Sequence, residues 1–372
     1  MNLSYWEYNS WLTDIDFTIV GSGIVGLSSA LFLKEKYPTA KVLVLEKGIL
    51  PQGASTKNAG FACFGSVSEI LSDLKNHTEQ EVVDLVNQRR QGIKLLREIL
   101  GDKELGYQQL GGHEVFLEKD TELYDECLEK VPYINSLLEP VFGSHPFKVH
   151  DNKYGFDKVE NSYISHQFEG QLDTGQMMLG LLKNCVSKGV LLLNDVEVQN
   201  IEDTGPYVSI ITQHFDVRSK KVLLATNGFA RQFLKEEMIQ PARAQVLITE
   251  PVPDLDIKGT FHLDEGYYYF RNVDNRILLG GGRNLDFKGE QTTELKETKL
   301  IQDALEGLLK EVILPRREVN IAHRWSGIMG VGPQKKPIIK PISDHIFCGV
   351  RLGGMGIALG TLVGKKLAEI AS

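Results

Sequence analysis

Short runs of β-forming apolar residues alternate with amphipathic stretches at helical spacing along this chain. Residues 16–21, DFTIVG, read as a buried strand that stops at glycine. In 24–36, IVGLSSALFLKEK, Ile24, Leu27, Ala30 and Leu31 recur at helical spacing, and Pro38 follows as a stop. Residues 41–45, KVLVL, give a second buried strand. Strand, helix and strand within about 30 residues form a βαβ unit, which predicts a parallel sheet.

Downstream, 79–100 is an amphipathic helix, and 132–160 is a mixed region rich in Pro and Gly. A helix at 174–188 opens at Asp173 and Thr174 as cap candidates. Strands follow at 190–193, 196–201, 207–217 and 222–226, and 243–283 is strand-rich. Residues 293–310 read as helix, 319–327 and 345–350 as strands, and 356–370 as a final helix. The expected fold class is α/β: a discontinuous Rossmann-like domain beside a second domain with a mainly antiparallel sheet and helices. The expected division assigns 14–78, 160–232 and 323–372 to the first, and 79–159 and 233–322 to the second. Residues 1–13 are expected to form an arm.

Composition narrows the function. Of 372 residues, 41 are Lys or Arg and 49 Asp or Glu, a net charge of −8 that disfavours a nucleic-acid-binding surface. With 42% hydrophobic residues the chain has material for a real core and is not a disordered sequence. Cys63, Cys127, Cys185 and Cys348 form no CxxC pair and read as reduced core thiols, so no metal site is expected. No apolar run approaches ~18 residues, so no membrane span is expected. The segment MNLSYWEYNSWL lacks Lys and Arg and does not read as a signal peptide. A cytoplasmic protein is expected. The aromatic segment Tyr5–Trp11 reads as an arm packed on the protein, with peripheral membrane contact as the alternative.

Candidate chemistry begins at Gly21-Ser22-Gly23-Ile24-Val25-Gly26, a GxGxxG turn between strand and helix. Gly21 permits the turn, Gly23 lets backbone approach a pyrophosphate, and Gly26 lets helix and strand pack closely. The helix N-terminus offers free N–H groups and partial positive charge. Glu46 ends the second strand twenty residues after Gly26, where an acid binds ribose hydroxyls, and Lys47 follows it. The loop Gly53-Ala-Ser55-Thr56-Lys-Asn58-Ala59-Gly60 reads alone either as a cradle for phosphates or a ring edge, or as a plain surface loop. Gly353-Gly354-Met355-Gly356-Ile357 is a third glycine-rich turn leading into a helix. It suits either close approach to a flat anionic ligand or helix packing.

These loops in this order resemble the FAD-dependent D-amino-acid oxidase superfamily, in its glycine oxidase and bacterial amine oxidase-like branch. DFTIVGSGIVGLSSA with VLVLEKG resembles its FAD-binding start, and GASTKNAGF its loop along pyrophosphate and flavin, ending at Phe61. The segment 172–201 is similar to its helix and strand before an adenine-contacting valine, here Val198. VLLATNGFA resembles the strand carrying Ala225, Thr226 and Gly228 to the cofactor. YYYFRNVDNRILLGGG is similar to its substrate-domain hairpin, and RWSGIMG with GGMGIALG to its flavin-closing end.

The resemblance implies noncovalent FAD. It also implies oxidation of the C–N bond of a small amine or amino acid, giving an imine that hydrolyses, with oxygen or another electron acceptor closing the cycle. It leaves homo-oligomerisation open. Tyr268 matches the tyrosine that the family points at substrate; it shares a strand face with Phe270, while Tyr267, Tyr269 and Arg271 share the other. Trp325 and His113 are the further candidates near the flavin. Where glycine oxidase-like members place a carboxylate-gripping Arg after Trp-x-Gly, this chain has Met329. A thioether cannot form Arg's bidentate pair, so an amine without an adjacent carboxylate gains weight. Arg324 faces the other way on a period-2 strand; Arg271, Arg283 and Arg351 remain candidate anchors. The Lys335–Lys336 pair is compatible with an anionic hydroxy acid or polyol phosphate as alternative substrate. A non-catalytic flavin-binding protein is the remaining reading.

Overall fold

The computed structural model describes residues 2–234 and 239–372. Among these, the strands form two eight-stranded sheets and a two-stranded ribbon. In the first sheet Ile15–Val20 lies parallel between Val42–Leu45 and Asp216–Leu224. Leu191–Leu193 extends it beyond Val42–Leu45, and Ile346–Val350 beyond Asp216–Leu224, both parallel. Ile338–Pro341 closes that edge antiparallel, and Val208–Thr212 with Val198–Asp203 continues as an antiparallel offshoot.

The helix Ile24–Lys36 is buried along most of its length because Gly356–Ile370 and Thr174–Ser187 both pack on it. A helix apolar on several faces is what that sandwiched position needs. Its partners come from distant sequence, and the Ser29 hydroxyl donates to the Gly364 carbonyl at 3.0 Å.

The second sheet runs in the order Ile321–Val331, Gln240–Thr249, Arg276–Gly281, Tyr268–Val273, Thr260–Leu263, Gly112–Glu114, Ser162–His166, Phe147–Asp151. All neighbours are antiparallel except Thr260–Leu263 with Gly112–Glu114. One face carries Leu247, Phe261, Phe270 and Leu279, covered by Ile301 and Leu305 of the Lys299–Leu308 helix. The other face looks toward the first sheet. Two boundaries therefore fall differently from expectation. The sequence pattern places Ser162–His166 and most of Ile321–Val331 on the nucleotide side, yet both pair into the second sheet.

Three local expectations are corrected. The span 132–160 is not irregular at its start, because the helix Thr121–Phe142 runs through Pro132 and Pro140. Each interior proline costs about 3 kcal/mol, but Cys127, Val131, Ile134, Leu138 and Val141 form a buried stripe that offsets this. The expected strand 207–217 breaks at Gln213–Phe215, where the Thr212 hydroxyl accepts the amides of His214 and Phe215. The N-terminal arm does not bury its aromatic rings: Tyr5 is 69% and Trp6 74% exposed, while Leu12 is its buried residue. Ser4 and Glu7 hold the arm's first turn by a reciprocal capping box.

Candidate cofactor and substrate cavity

Gly21 follows the first strand with φ +103°, and a Cβ there would stand 2.8 Å from the Ala225 carbonyl oxygen. Only glycine takes this conformation without strain. A Cβ on Gly26 would lie 1.9 Å from the Gly21 oxygen, so the helix crosses the turn at backbone contact. Gly23 caps the helix, and the Ile24 amide donates to Ser55 Oγ at 2.9 Å. Glu46 is buried, its carboxylate accepting from the Ser22 amide (3.1 Å), the Ser22 hydroxyl (2.7 Å) and the Gly48 amide (3.0 Å).

A cavity of about 700 Å³ opens from these residues and runs between the two sheets, within the usual range of cofactor sites. Its wall includes Gly21, Gly23, Ile24, Val25, Glu46 and Lys47 at the first turn. Ser55, Asn58, Ala59 and Phe61 continue it. Val198, Ala225, Thr226 and Gly228 form a third portion, and Gly353 to Ile357 a fourth. Two helix N-termini, at Ile24 and Gly356, thus face one space. The buried hydroxyl of Thr226, a residue of this wall, has no hydrogen-bond partner among the described residues. An unpartnered hydroxyl, backbone cradles and a ribose-distance acid fit an extended dinucleotide.

Four expected cofactor residues stand behind the wall. Ser22 orients Glu46, and Gly26 makes the helix crossing. Thr56 donates to the Pro51 carbonyl at 2.7 Å, fixing the loop. Gly60, at φ +75°, donates its amide to Asn58 Oδ1 of the same loop at 2.8 Å.

The substrate end departs further from expectation. Tyr268 lies on the face packed under the Lys299–Leu308 helix, against Gly282 and the core beneath it. Tyr269 lines the cavity instead, together with Tyr267. The sequence separates the two faces of this strand correctly but selects the wrong one, because both are covered. Gly280, cross-strand from Tyr269, leaves room for its ring, which a Cβ would meet at 2.6 Å. Phe61 packs edge-on to Tyr269 with centroids 5.6 Å apart. Burial pushes the Tyr269 phenol up to about 12, so it is a hydroxyl donor at neutral pH.

His113 does not reach the cavity. It sits among Tyr154, Tyr163 and Phe261, with Nδ1 2.7 Å from Ser165 Oγ, and burial lowers it to about 4. Trp325 also stands behind the wall, where its indole N–H donates to the Lys57 carbonyl at 2.9 Å and fixes the loop to the sheet. Met329, two steps along, does line the cavity, with Gly327 between them.

The other candidate anchors have structural partners. The Arg271 guanidinium donates to the Ala59 carbonyl and, at 3.0 Å, to Leu172, tying the cofactor loop to the second sheet. Arg324 binds Gln302 and Glu306 on the far face. Arg351 donates to the Lys336 carbonyl at 3.0 Å. Lys335 lines the cavity and pairs with Asp73, while Lys336 pairs with Glu81. Arg283 is on the wall, half-buried and stacked on the exposed Phe287.

Sequence reasoning missed Cys63, Glu69, His262 and Glu265 on the wall. Glu69 had a visible signal, since Ser66-x-x-Glu69 is a capping box. His262 interrupts the apolar TFHL strand on the face opposite Phe261 and Leu263. Behind it Glu169 and Glu114 are buried, and desolvation raises them to about 8 and about 7. Burial also raises the Cys63 thiol, which lies 3.8 Å from the Met355 sulfur, so it is held as a thiol. No cluster of metal-ligating side chains occurs among the described residues. No described helix is long and apolar enough to cross a membrane.

Fold and cavity together define a protein that fits an extended dinucleotide. The family model for FAD dependent oxidoreductases, DAO, matches residues 16–370, and the chain belongs to that family. Its cofactor is FAD. The chain is 27% identical to the probable oxidoreductase OrdL of Haemophilus influenzae over 378 aligned positions, covering 95% of this chain and 82% of the relative. It is 24% identical to the gamma-glutamylputrescine oxidoreductase of Escherichia coli, covering 95% and 83%. Glycine oxidase from Bacillus cereus has a similar fold, with a TM-score of 0.76, 16% identity and coverage of 96% and 95%.

Proposed function

We propose that this flavoprotein oxidises the C–N bond of a small amine or amino acid, and that its preferred donor has no carboxylate on the reacting carbon. The observation that carries the reading is Met329 on the cavity wall. Arg271, Arg324 and Arg351 are engaged away from that position. Noncovalent FAD, when bound, supplies the two-electron acceptor.

The chain's own residues bind and orient. Glu46, held by Ser22 and Gly48, presents its carboxylate at the ribose position. The Ile24 and Gly356 helix ends set partial positive charge toward phosphates and toward a reduced ring. Met329, Tyr269 and Phe61 form an apolar wall that excludes water from the reacting carbon, and the Tyr269 hydroxyl is a donor or acceptor for the substrate nitrogen. A neutral amine needs no strong base.

Anaerobic mixing of the holoprotein with separate pools of amines, amino acids and hydroxy acids tests this. Bleaching of the flavin by amines, with release of ammonia or a shorter amine, is the expected result. Bleaching by hydroxy acids alone would replace this reading with C–O oxidation. Bleaching by none would favour the non-catalytic one.

A further inference from the structure

We propose that Arg283 forms a carboxylate subsite at the mouth of the cavity, so that the preferred donors carry a carboxylate several bonds away from the carbon being oxidised. The subsite rests on the amine-oxidation reading and names its substrate class. Arg283 lines the cavity and is half-buried, and its guanidinium makes no ion pair or hydrogen bond among the described residues. Arg271 and Arg324, by contrast, give their donors to protein carbonyl and carboxylate oxygens.

Local backbone places this guanidinium. Gly281 and Gly282 close the strand Arg276–Gly281 with φ +122° and +76°, and a Cβ on Gly281 would meet the Tyr267 carbonyl oxygen at 2.0 Å. Only glycine follows that path without strain, and it brings Arg283 and Tyr267 onto one wall. The guanidinium carbon lies 4.8 Å from the Phe287 ring centroid, and Phe287 meets Tyr267 edge-on with centroids 5.8 Å apart. Stacking occupies the face of a guanidinium and leaves its N–H edge open, the edge that matches a carboxylate bidentately. The segment beyond Phe287 is fixed by a buried ion pair. Glu290 accepts from Arg243 Nε at 2.9 Å, from Arg243 Nη2 at 2.8 Å and from Gln245 Nε2 at 3.0 Å. Thr293 and Leu295 of the same segment reach the cavity wall. The cation thus stands on a braced support, which lowers the ordering cost of binding. Neither acid of the adjacent turn pairs with it: Asp264 accepts from Asn284 at 2.8 Å, and Glu265 is exposed to water.

Strand register sets the distance from the reacting carbon. Gln245 pairs with Gly281 on one side and with Ser326 on the other. Both outer strands run in the same direction from that row, one to Arg283 and the other to Met329. Two strand spacings, roughly 10 Å, separate the paths. A carboxylate at the end of a short alkyl chain spans that separation from a carbon held beside Met329 and Tyr269. An α-carboxylate, attached to the reacting carbon itself, does not.

The test compares 4-aminobutanoate, 5-aminopentanoate and 6-aminohexanoate with their terminal amides, which keep the shape and remove the charge. Reduction is read by anaerobic flavin bleaching of the holoprotein over a range of concentrations. At least one ω-amino acid is expected to saturate at roughly tenfold lower concentration than its amide, the usual scale of a charge-assisted hydrogen bond. The gain should fall on KM rather than kcat, because the contact is remote from the chemistry. Arg283→Gln should cut the preference to about twofold with flavin content unchanged, and Arg283→Lys should restore part of it. Amide oxidation without a preference for the acids, a preference that survives Arg283→Gln, or a stronger preference for α-amino acids would overturn the subsite alone. Failure of every acid and amide to bleach the flavin would overturn the amine-oxidation reading instead.

Discussion

The nucleotide end and the substrate sheet of this molecule are built by different means. At the nucleotide end the wall is rich in glycine, at Gly21, Gly23, Gly53, Gly228 and the 353–356 turn, so backbone itself borders the cavity. Side chains there, such as Ser22 and Asn58, mostly hold other protein groups in place. At the second sheet the wall is made of side chains, and which ones it presents depends on which face of a strand points inward, as at Tyr269, His262 and Met329. Backbone sites depend on local conformation and tolerate almost no added atoms. Face-dependent sites depend on what lies across the sheet.

The contrast predicts where single substitutions act. Gly26→Val should have the largest effect, because the added carbons meet the Gly21 carbonyl rather than a yielding side chain. We expect loss of FAD from any protein recovered, measured by visible absorbance; normal flavin content would mean the turn does not hold the cofactor. Next, Tyr269→Phe should lower kcat/KM for amines roughly tenfold, as for a lost buried hydrogen bond. Tyr268→Phe, one residue away, should change it by no more than about twofold. Equal effects in steady-state assays would erase the distinction between the faces.

Met329→Arg should sharpen the comparison from the opposite direction. It places a guanidinium on the wall and should improve KM for amino acids relative to simple amines by several-fold. Unchanged relative KM values would remove Met329 from the specificity argument. The smallest effect concerns pH. Glu169 and Glu114 bind protons more tightly when folded, at about 8 and about 7, than the unfolded chain's roughly 4.3. The native state therefore holds more protons through that window, and their contribution to stability falls as pH rises from about 5 to about 8. Glu169→Gln should flatten the fall of Tm with pH by a few degrees in calorimetry, and a slope identical to wild type would show that Glu169 titrates normally.

Much of the nucleotide end was legible because its signals are local. GxGxxG followed by Glu46, and the two later glycine turns, declare backbone geometry within a few residues. The substrate sheet was legible only in part. Alternation in YYYFR separates Tyr268 from Tyr269 correctly, yet one face meets the Lys299–Leu308 helix and the other the cavity. Nothing in the strand itself says which. His262 lies eight residues ahead of Phe270 in a strand whose role depends on that same choice. Pro132 and Pro140 concealed a helix because long-range burial of its stripe outweighed a local penalty. The exposed Tyr5 and Trp6 show the converse, an apolar composition with no neighbour to cover it.

The first strand's position in its sheet also has a kinetic consequence. Ile15–Val20 lies between Val42–Leu45 and Asp216–Leu224, and the helix after it packs under Gly356–Ile370. The glycine turn after Ile15–Val20 is therefore completed by a helix distant from it in sequence, Gly356–Ile370. Such distant pairings slow folding and leave intermediates exposed in long chains. During synthesis the βαβ unit waits, uncovered on one side, until Gly356–Ile370 is made. Both segments line the cavity, so a chain lacking Gly356–Ile370 should be an apo, aggregation-prone species rather than a smaller flavoprotein.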